Sequence, residues 1–263
     1  MTLYTTTDIS GRTALITGAS AGIGRACALL LAERGCNLIL IARRRENLES
    51  VRDEIIHLFP NCKVSLKVCD VSNPEQVDQL ILRLSDVDID ILINNAGLAL
   101  GVEAGDQVSM EDARIMFNTN VLGLIHLVKG VAPQMRRRNS GDIVNIGSVA
   151  GSDHYNGGAI YCATKAAVDA YTNSLRMDLV HTNIRVIEIN PGIVSGTEFS
   201  IVRFKGDTTK ATTLYSGLDC LTPLDVADQV VYAVTRPLRV QIAQVKTYCN
   251  QQAHAKFVIH REY

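Results

Sequence analysis

The chain has 263 residues, enough for one sizeable domain or two small ones with a substantial core. Its 47% hydrophobic and 20% charged residues are ordinary for a soluble globular protein, and its formal net charge of −1 gives no support for nucleic-acid binding or electrostatic membrane attachment. No run approaches the roughly 18 consecutive apolar residues that span a bilayer. Residues 1–8 lack the basic and apolar regions of a secretory signal.

Seven cysteines are scattered along the chain without a CxxC pair or the spacing of metal ligands, so we expect no metal site. An odd number of cysteines without a signal peptide is typical of free thiols in a reducing compartment. The sequence therefore predicts a cytoplasmic protein.

The first motif is a strand followed by a glycine loop. Residues 13–17 form a short apolar, β-branched run, which enters the glycine-rich segment 18–24, and apolar residues then recur at helical spacing. Strand, glycine loop and helix are the first half of a nucleotide-binding βαβ unit, in which the helix N-terminus faces a pyrophosphate. The glycine spacing is GxxxGxG rather than GxGxxG, so this loop alone is not decisive.

The second predicted strand, residues 37–42, ends in three arginines, Arg43 to Arg45. An NAD enzyme usually places an acidic residue here for the ribose 2′-hydroxyl. Arginine binds phosphate bidentately, so a 2′-phosphate, and hence NADP, is the better fit. The alternative is a solvated first turn of the next helix. Arg43 and Arg44 are the candidates, since we expect Arg45 to lie on that helix.

The alternation of strands and helices continues. Further apolar runs of strand length lie at residues 63–68, 89–93, 142–147, 184–189 and 240–247. Stretches of helical character lie at about residues 46–59, 74–84, 109–138 and 224–234, and around Tyr161. This pattern predicts one α/β domain over residues 1–263, with a parallel sheet, right-handed crossovers and helices on both faces.

Polar and small residues follow several of these strands. Asp70 either accepts a hydrogen bond from an adenine amino group or caps the turn at residues 72–74. Residues 94–97 are Asn-Asn-Ala-Gly, small enough for the backbone to approach a ribose, and Ser148 ends the fifth strand. The alternation stops after Gly192, and we expect the polar insertion at about residues 193–222 to cover a ligand at the carboxyl edge of the sheet.

Tyr161 and Lys165 are four residues apart on a predicted helix, so their side chains share one face. A phenol titrates near pH 10 in water, and a neighbouring ammonium favours the phenolate. We therefore expect Lys165 to lower the pKa of Tyr161, which makes the tyrosine a candidate general acid or base toward a carbonyl or hydroxyl oxygen. Taken alone, the pair also fits an ordinary surface helix.

Together these motifs resemble the single-domain short-chain dehydrogenase/reductase family over nearly the whole chain. The matching pieces are Thr17 to Gly24, Asp70, Asn94 to Gly97, Asn120, Ser148, Tyr161 with Lys165, and Pro191-Gly192. The resemblance implies a Rossmann fold, a doubly wound seven-stranded parallel sheet of order 3-2-1-4-5-6-7, and a homotetramer or homodimer. Residues 97–101, 192–207 and Arg43-Arg44 look like the NADP-dependent 3-hydroxy acid dehydrogenases, which oxidise serine or allo-threonine at the β-hydroxyl.

The resemblance also implies roles for the catalytic residues. Ser148 is expected to hydrogen-bond the substrate oxygen, and Tyr161 to exchange its proton. Lys165 is expected to lower the tyrosine pKa and hold the nicotinamide ribose, while Asn120 helps to keep a water-linked proton path. The implied NADP contacts are Gly18, Ser20, Gly22, Ile23, Gly24, Arg43, Arg44, Asp70, Val71, Asn95, Ala96, Gly97, Tyr161, Lys165, Pro191, Gly192, Val194 and Thr197.

One departure from many NADP-dependent members is Ala21, since a basic residue often precedes the middle glycine. The 2′-phosphate then depends on Arg43 and Arg44. For a small hydroxy acid, Arg203 or Lys205 in the insertion is expected to pair with the carboxylate, although both also fit simple surface positions. The alternatives are a reductase of 3-oxoacyl, sugar or steroid carbonyls, and a non-catalytic NADP-binding sensor.

Overall fold

The computed structural model describes residues 4–260; residues 1–3 and 261–263, which include the end of the tail 249–263, lie outside it. Its centre is a parallel sheet with strands β1 (Thr13–Thr17), β2 (Asn37–Ala42), β3 (Val64–Val68), β4 (Ile91–Asn94), β5 (Gly141–Ile146), β6 (Ile184–Pro191) and β7 (Gln244–Thr247). The strand order is β3-β2-β1-β4-β5-β6-β7, and each neighbouring pair is parallel. This confirms the predicted doubly wound Rossmann sheet.

Helices cover both faces of the sheet. They are α1 (Gly22–Glu33), α2 (Arg45–Leu58), α3 (Pro74–Arg83), α4 (Met110–Phe117), α5 (Gly123–Arg138), α6 (Ala159–Asp178), α7 (Phe199–Arg203), α8 (Thr208–Thr213) and α9 (Pro223–Val234). One buried apolar cluster lies under α1, α2 and α9, and a second lies under α3, α5 and α6. Leu15 and Ile16 of β1 are both fully buried but belong to different clusters, because successive side chains of a strand point to opposite faces.

The predicted helix over residues 109–138 is interrupted. A π-helical turn, Asn118–Leu122, separates α4 from α5. The stretch Met110–Arg138 is long and apolar enough by composition to cross a membrane, but half of its most apolar window is buried inside the protein. Burial of that kind is what a core helix packed on a sheet shows.

Two segments differ from their predicted bounds. The last strand begins at Gln244 rather than at residue 240, because the Val240 amide donates to the Pro237 carbonyl and closes a turn before sheet pairing starts. The tail, for which the sequence suggested no structure, forms an antiparallel hairpin of β8 (Gln252–His254) and β9 (Phe257–Val258). Its Gln252 Oε1 accepts from the Ile193 amide at 2.9 Å, so the hairpin lies against the start of the insertion.

A buried ion pair ties the amino ends of β5 and β6 to the end of α9. Arg185 Nε donates to Asp142 Oδ1 at 2.6 Å, and the other guanidinium nitrogens donate to the carbonyls of Val234 and Arg236, both at 2.8 Å. Asp142 also accepts from Arg12 at 2.8 Å. Because the carboxylate is 1% exposed, removal of a partner leaves a desolvated charge incompletely compensated.

We therefore expect Arg185→Met to lower the free energy of unfolding by about 3 kcal/mol, measured by urea denaturation at neutral pH. The matched control is Arg45→Met, which removes an exposed i,i+4 pair with Glu49 and should cost less than about 0.5 kcal/mol. Equal stabilities for the two variants would contradict this account of the buried pair.

Candidate active site

A cavity of about 640 Å³ lies at the carboxyl edge of the sheet, under the insertion and the tail hairpin. Parallel strands place their carboxyl ends at one edge, which is why residues distant in the sequence meet there. All of the site residues predicted from the sequence line this cavity except Gly24, Asn120 and Lys205.

The glycine loop packs closely against the end of β4. Gly18 has φ +63°, and a Cβ there would lie 2.7 Å from Asn95 Nδ2; a Cβ on Gly24 would lie 2.4 Å from the Gly18 carbonyl oxygen. Thr17, which sequence reasoning did not assign a role, holds this junction: its Oγ1 accepts from the Asn95 amide at 2.9 Å and from the Ala96 amide at 3.0 Å. Gly24 thus supports the loop from behind rather than lining the cavity.

Arg43 and Arg44 are exposed at the end of β2 and line the cavity. Arg44 Nη1 donates to Glu198 Oε1 of the insertion at 2.8 Å, and its Nη2 donates to Oε2. The hydrogen bond from Arg44 lowers the pKa of Glu198. The guanidinium fork is therefore paired with a carboxylate in the geometry that a phosphate would also satisfy.

Asp70, which follows the carboxyl end of β3, makes the turn contact that was one of its two predicted roles. Asp70 Oδ1 accepts from the Ser72 amide at 2.9 Å and from Ser72 Oγ at 2.7 Å, so its side chain closes the turn. Asp70 also lines the cavity, so the contact with the turn does not exclude a contact with a ligand there.

Asn120 lies behind the cavity in the π-helical turn. Its Oδ1 accepts from the Leu98 amide and its Nδ2 donates to the Leu98 carbonyl, both at 2.8 Å, and Nδ2 also lies 3.1 Å from Thr164 Oγ1. The side chain is 2% exposed. Asn120 therefore connects the segment after β4 to α6, one residue before Lys165.

Ser148, Tyr161 and Lys165 line one wall of the cavity. Lys165 Nζ donates to the Ile146 carbonyl at 2.8 Å and lies 5.8 Å from the centroid of the Tyr161 ring. Burial lowers the pKa of Lys165 to about 8. The Tyr161 ring meets Phe199 of the insertion edge to face, with centroids 5.4 Å apart.

The expectation that Lys165 lowers the pKa of Tyr161 is not met here. Burial raises the pKa of the Tyr161 phenol, and the nearby Ser148 hydroxyl and the charge of Arg203 oppose that rise only in part. The physical reason is that transfer of a phenolate out of water costs more free energy than the Ser148 hydrogen bond and the Arg203 charge recover. The Lys165 ammonium, in turn, donates to a backbone carbonyl.

The two candidate carboxylate-binding residues are placed differently. Arg203 lines the cavity and is 7% exposed, with Nη1 donating to Tyr155 Oη at 2.8 Å. Lys205 points elsewhere: its Nζ pairs with Asp112 Oδ2 at 2.8 Å, and its side chain is 59% exposed. Tyr155, also at the cavity wall, carried no sequence signal because it lies in an irregular segment without periodicity.

Glu188 of β6 is a buried carboxyl group whose charge acts on Lys165 at the cavity wall. It is 1% exposed, and its Oε2 accepts from Gln244 Nε2 at 3.3 Å. Burial raises the pKa of Glu188 from 4.5 to about 7, and the hydrogen bond and charge of Asp169 add to the rise, whereas Gln244 and Lys165 oppose it. Within residues 4–260, no group of three or more potential ligands is arranged to hold a metal ion.

A cavity at the carboxyl edge of a doubly wound sheet, beside a glycine loop that opens a helix, is the arrangement of dinucleotide-binding α/β proteins. Residues 12–207 match the short chain dehydrogenase family. The chain belongs to that family of oxidoreductases.

Relatives resemble the chain over almost its whole length. The NADP-dependent 3-hydroxy acid dehydrogenase of Schizosaccharomyces pombe is 40% identical over 257 residues, which cover 97% of this chain and 98% of the relative. A Salmonella typhimurium protein of the same description is 43% identical over 249 residues, covering 94% and 98%. Among solved structures, the closed form of a serine dehydrogenase complexed with NADP+ has a TM-score of 0.88 at 40% identity, covering 95% of this chain and 100% of that one.

The raised pKa of Glu188 predicts a pH-dependent effect of Glu188→Gln on stability. Between pH 4.5 and 7 the folded state keeps a proton on Glu188 that the unfolded state has lost. The contribution of Glu188 to the free energy of unfolding is therefore fully present below pH 4.5 and is lost as the pH rises through 7. Glutamine does not titrate. The stability of the variant relative to wild type should therefore increase by about 1–3 kcal/mol from pH 5 to pH 8.

Urea unfolding at four pH values in this range measures the difference. Glu49→Gln on the surface of α2 is the control and should show no such slope. A Glu188→Gln effect that stays constant with pH would show that Glu188 is ionised in the folded protein.

Proposed function

We propose that this protein is an NADP-dependent dehydrogenase that transfers a hydride between the nicotinamide and the β-hydroxyl carbon of a short 3-hydroxy acid such as serine or allo-threonine. The observation that carries the proposal is that Ser148, Tyr161 and Lys165 line the same cavity as Arg203. Relatives of about 40% identity with matching length carry the same activity in their names.

The residues of this chain fit NADP. A backbone cradle at Gly18 has no room for a Cβ, and it adjoins the amino end of α1, where free N–H groups suit a pyrophosphate. Arg43 and Arg44 at the cavity wall are suited to a 2′-phosphate, which would take the place of Glu198 on the Arg44 fork. When bound, NADP supplies the hydride acceptor or donor.

The protein's own part is acid–base chemistry and positioning. Burial keeps the Tyr161 phenol protonated, so it is prepared to donate a proton to a carbonyl oxygen during reduction. In the oxidising direction the phenol would first release its proton to the path that Asn120 supports. The resulting phenolate, which a bound cationic nicotinamide would favour by opposite charge, then accepts the hydroxyl proton. Ser148 hydrogen-bonds the same oxygen, and Lys165 binds the nicotinamide ribose while Asn120 supports the proton path.

The substrate lies between this wall and the insertion at residues 193–222. Phe199 covers the Tyr161 ring, which limits access of water to the reacting oxygen. Arg203 offers its positive charge to the carboxylate, whereas Lys205 is already paired with Asp112 outside the cavity.

A cytoplasmic homotetramer or homodimer is part of the same proposal. The seven cysteines are free, and burial raises the thiol pKa of Cys27 and Cys36 to about 12, as suits a reducing compartment. Large apolar side chains on α4 and the following turn, Met110, Ile115 and Leu122, are exposed and available for contact between subunits.

Tyr161→Phe tests the proton-transfer role. Loss of the hydroxyl should lower kcat for NADP-dependent oxidation of serine at least about 100-fold, since general acid–base catalysis contributes that much or more, while NADP still binds. Tyr232→Phe on the exposed side of α9 is the control and should retain activity. Near-normal turnover by Tyr161→Phe would overturn the assignment. A panel of serine, other 3-hydroxy acids, polyols and steroids then separates the substrate classes.

Arg43→Gln combined with Arg44→Gln tests the cofactor assignment. Each lost phosphate contact to a charged donor should weaken NADP binding about tenfold or more, and NAD binding should change little. Arg45→Gln is the matched control, because Arg45 pairs with Glu49 on α2. Glu198→Gln separates loss of phosphate binding from loss of the ion pair. A preference for NADP that survives in the double variant would place the 2′-phosphate elsewhere.

A further inference from the structure

Two cations share the end of the cavity next to Tyr155. The Arg203 guanidinium carbon lies 5.4 Å from the centroid of the Tyr155 ring, and Lys256 Nζ lies 5.2 Å from the same centroid. Both residues line the main cavity. Arg203 comes from the insertion, whereas Lys256 comes from the turn between β8 and β9 in the C-terminal tail.

Neither cation has a carboxylate partner among the described residues. The contacts of Arg203 are neutral: the Gly101 carbonyl at 3.2 Å, Tyr155 Oη at 2.8 Å and the Gly157 carbonyl at 2.8 Å. Among residues 4–260, no carboxylate lies within 4.0 Å of Arg203 or Lys256.

An unmatched charge at this position is costly. Arg203 is 7% exposed, and burial of a cation without a counterion is unfavourable. Its neighbour adds to the cost: partial burial lowers the pKa of Lys256, and repulsion from Arg203 lowers it further. The two charges are thus close enough to repel each other across the cavity, and an anion between them would relieve both effects.

Two glutamine side chains of the tail hold the turn that carries Lys256 against the insertion. Gln252 Oε1 accepts from the Ile193 amide at 2.9 Å, and Gln251 contacts the insertion through the Asp219 amide and the Gly217 carbonyl. The contact of Lys256 with the Tyr155 ring is a cation–π interaction, which orients the ammonium without using its N–H donors. Within residues 4–260 no acceptor is hydrogen-bonded to those donors, so they can serve a ligand.

We propose that Lys256 is a substrate-binding residue that, together with Arg203, forms the carboxylate subsite beside Tyr155. The inference rests on the proposed function, and it names the group that distinguishes a 3-hydroxy acid from a neutral alcohol. With the reacting oxygen at Tyr161 and Ser148, the carboxylate of a short acid lies only two carbons away. Arg203 Nη1 donates to Tyr155 Oη at 2.8 Å, and Tyr155 lines the same cavity as Tyr161, so both ends of such a substrate lie in one cavity.

The test is calorimetric titration of the enzyme–NADP+ complex with butyrate and with butyramide, its neutral analogue. Wild-type protein should bind butyrate and not butyramide. Lys256→Gln should weaken butyrate binding about tenfold or more, Lys256→Arg should restore most of it, and Lys210→Gln should leave it unchanged, because Lys210 pairs with Asp207 outside the cavity. Butyrate affinity that is equal in wild type and Lys256→Gln overturns the proposal, as does a wild-type protein that binds neither ligand.

Steady-state kinetics separates this inference from the proposed function. If the enzyme oxidises 3-hydroxybutyrate, Lys256→Gln should raise KM for the acid about tenfold and change kcat and KM for NADP little, whereas KM for 3-hydroxybutyramide stays the same. A raised KM for NADP alone would instead assign Lys256 to the cofactor and overturn the proposal. If no 3-hydroxy acid is oxidised but the butyrate titration behaves as expected, the proposed substrate fails and the carboxylate subsite stands.

Discussion

The hydrogen bond from Lys165 Nζ to the Ile146 carbonyl joins the chemistry of the site to the sheet beneath it. The acceptor, Ile146, ends β5 two residues before Ser148, and the donor, Lys165, lies on the same helix as Tyr161. Among the described residues, the Ile146 carbonyl is the one hydrogen-bond acceptor that Lys165 Nζ contacts. Because burial already lowers the pKa of Lys165 to about 8, this carbonyl dipole keeps the side chain oriented while its charge remains responsive to what enters the cavity.

The cavity is lined by more cationic than anionic side chains, with only Asp70 and Glu198 as carboxylates among the described lining residues. Arg43 and Arg44 lie at one end, Lys165 in the middle, and Arg203 with Lys256 at the other. The chain has a net charge of only −1, so this is local placement and not composition. Low-dielectric walls make such charges effective toward anions. The arrangement suits a phosphate-bearing cofactor at one end and a carboxylate at the other.

The insertion links these two ends. Its Glu198 pairs with Arg44, its Phe199 covers Tyr161, and its Arg203 reaches Tyr155. These contacts all come from residues 198–203, so a ligand that displaced Glu198 from Arg44 or that bound Arg203 would change the partners of the same short segment. The tail hairpin is pinned to the start of that stretch through Gln252.

The sequence by itself determined the alternation of strands and helices, the glycine loop, the arginines after β2 and the residue types of Ser148, Tyr161 and Lys165. These features depend on local patterns: an apolar strand such as Thr13–Thr17 followed by glycines, or Tyr161 and Lys165 one helical turn apart, leave a readable signature. The parallel sheet with helices on both faces was predictable because strand and helix periodicities alternate with short connections along most of the chain. The strand order was implied by the family resemblance.

Only the tertiary structure decided the rest. Sequence proximity made Arg203 and Lys205 equal candidates, and packing separated them, since one side chain turns into the cavity and the other finds Asp112. The direction of the Tyr161 pKa shift depends on how completely the surroundings exclude water, which spacing along a helix does not encode. Lys256 lies 53 residues from Arg203 in a tail without periodicity, and the two meet at Tyr155 only because the chain folds back across the carboxyl edge of the sheet.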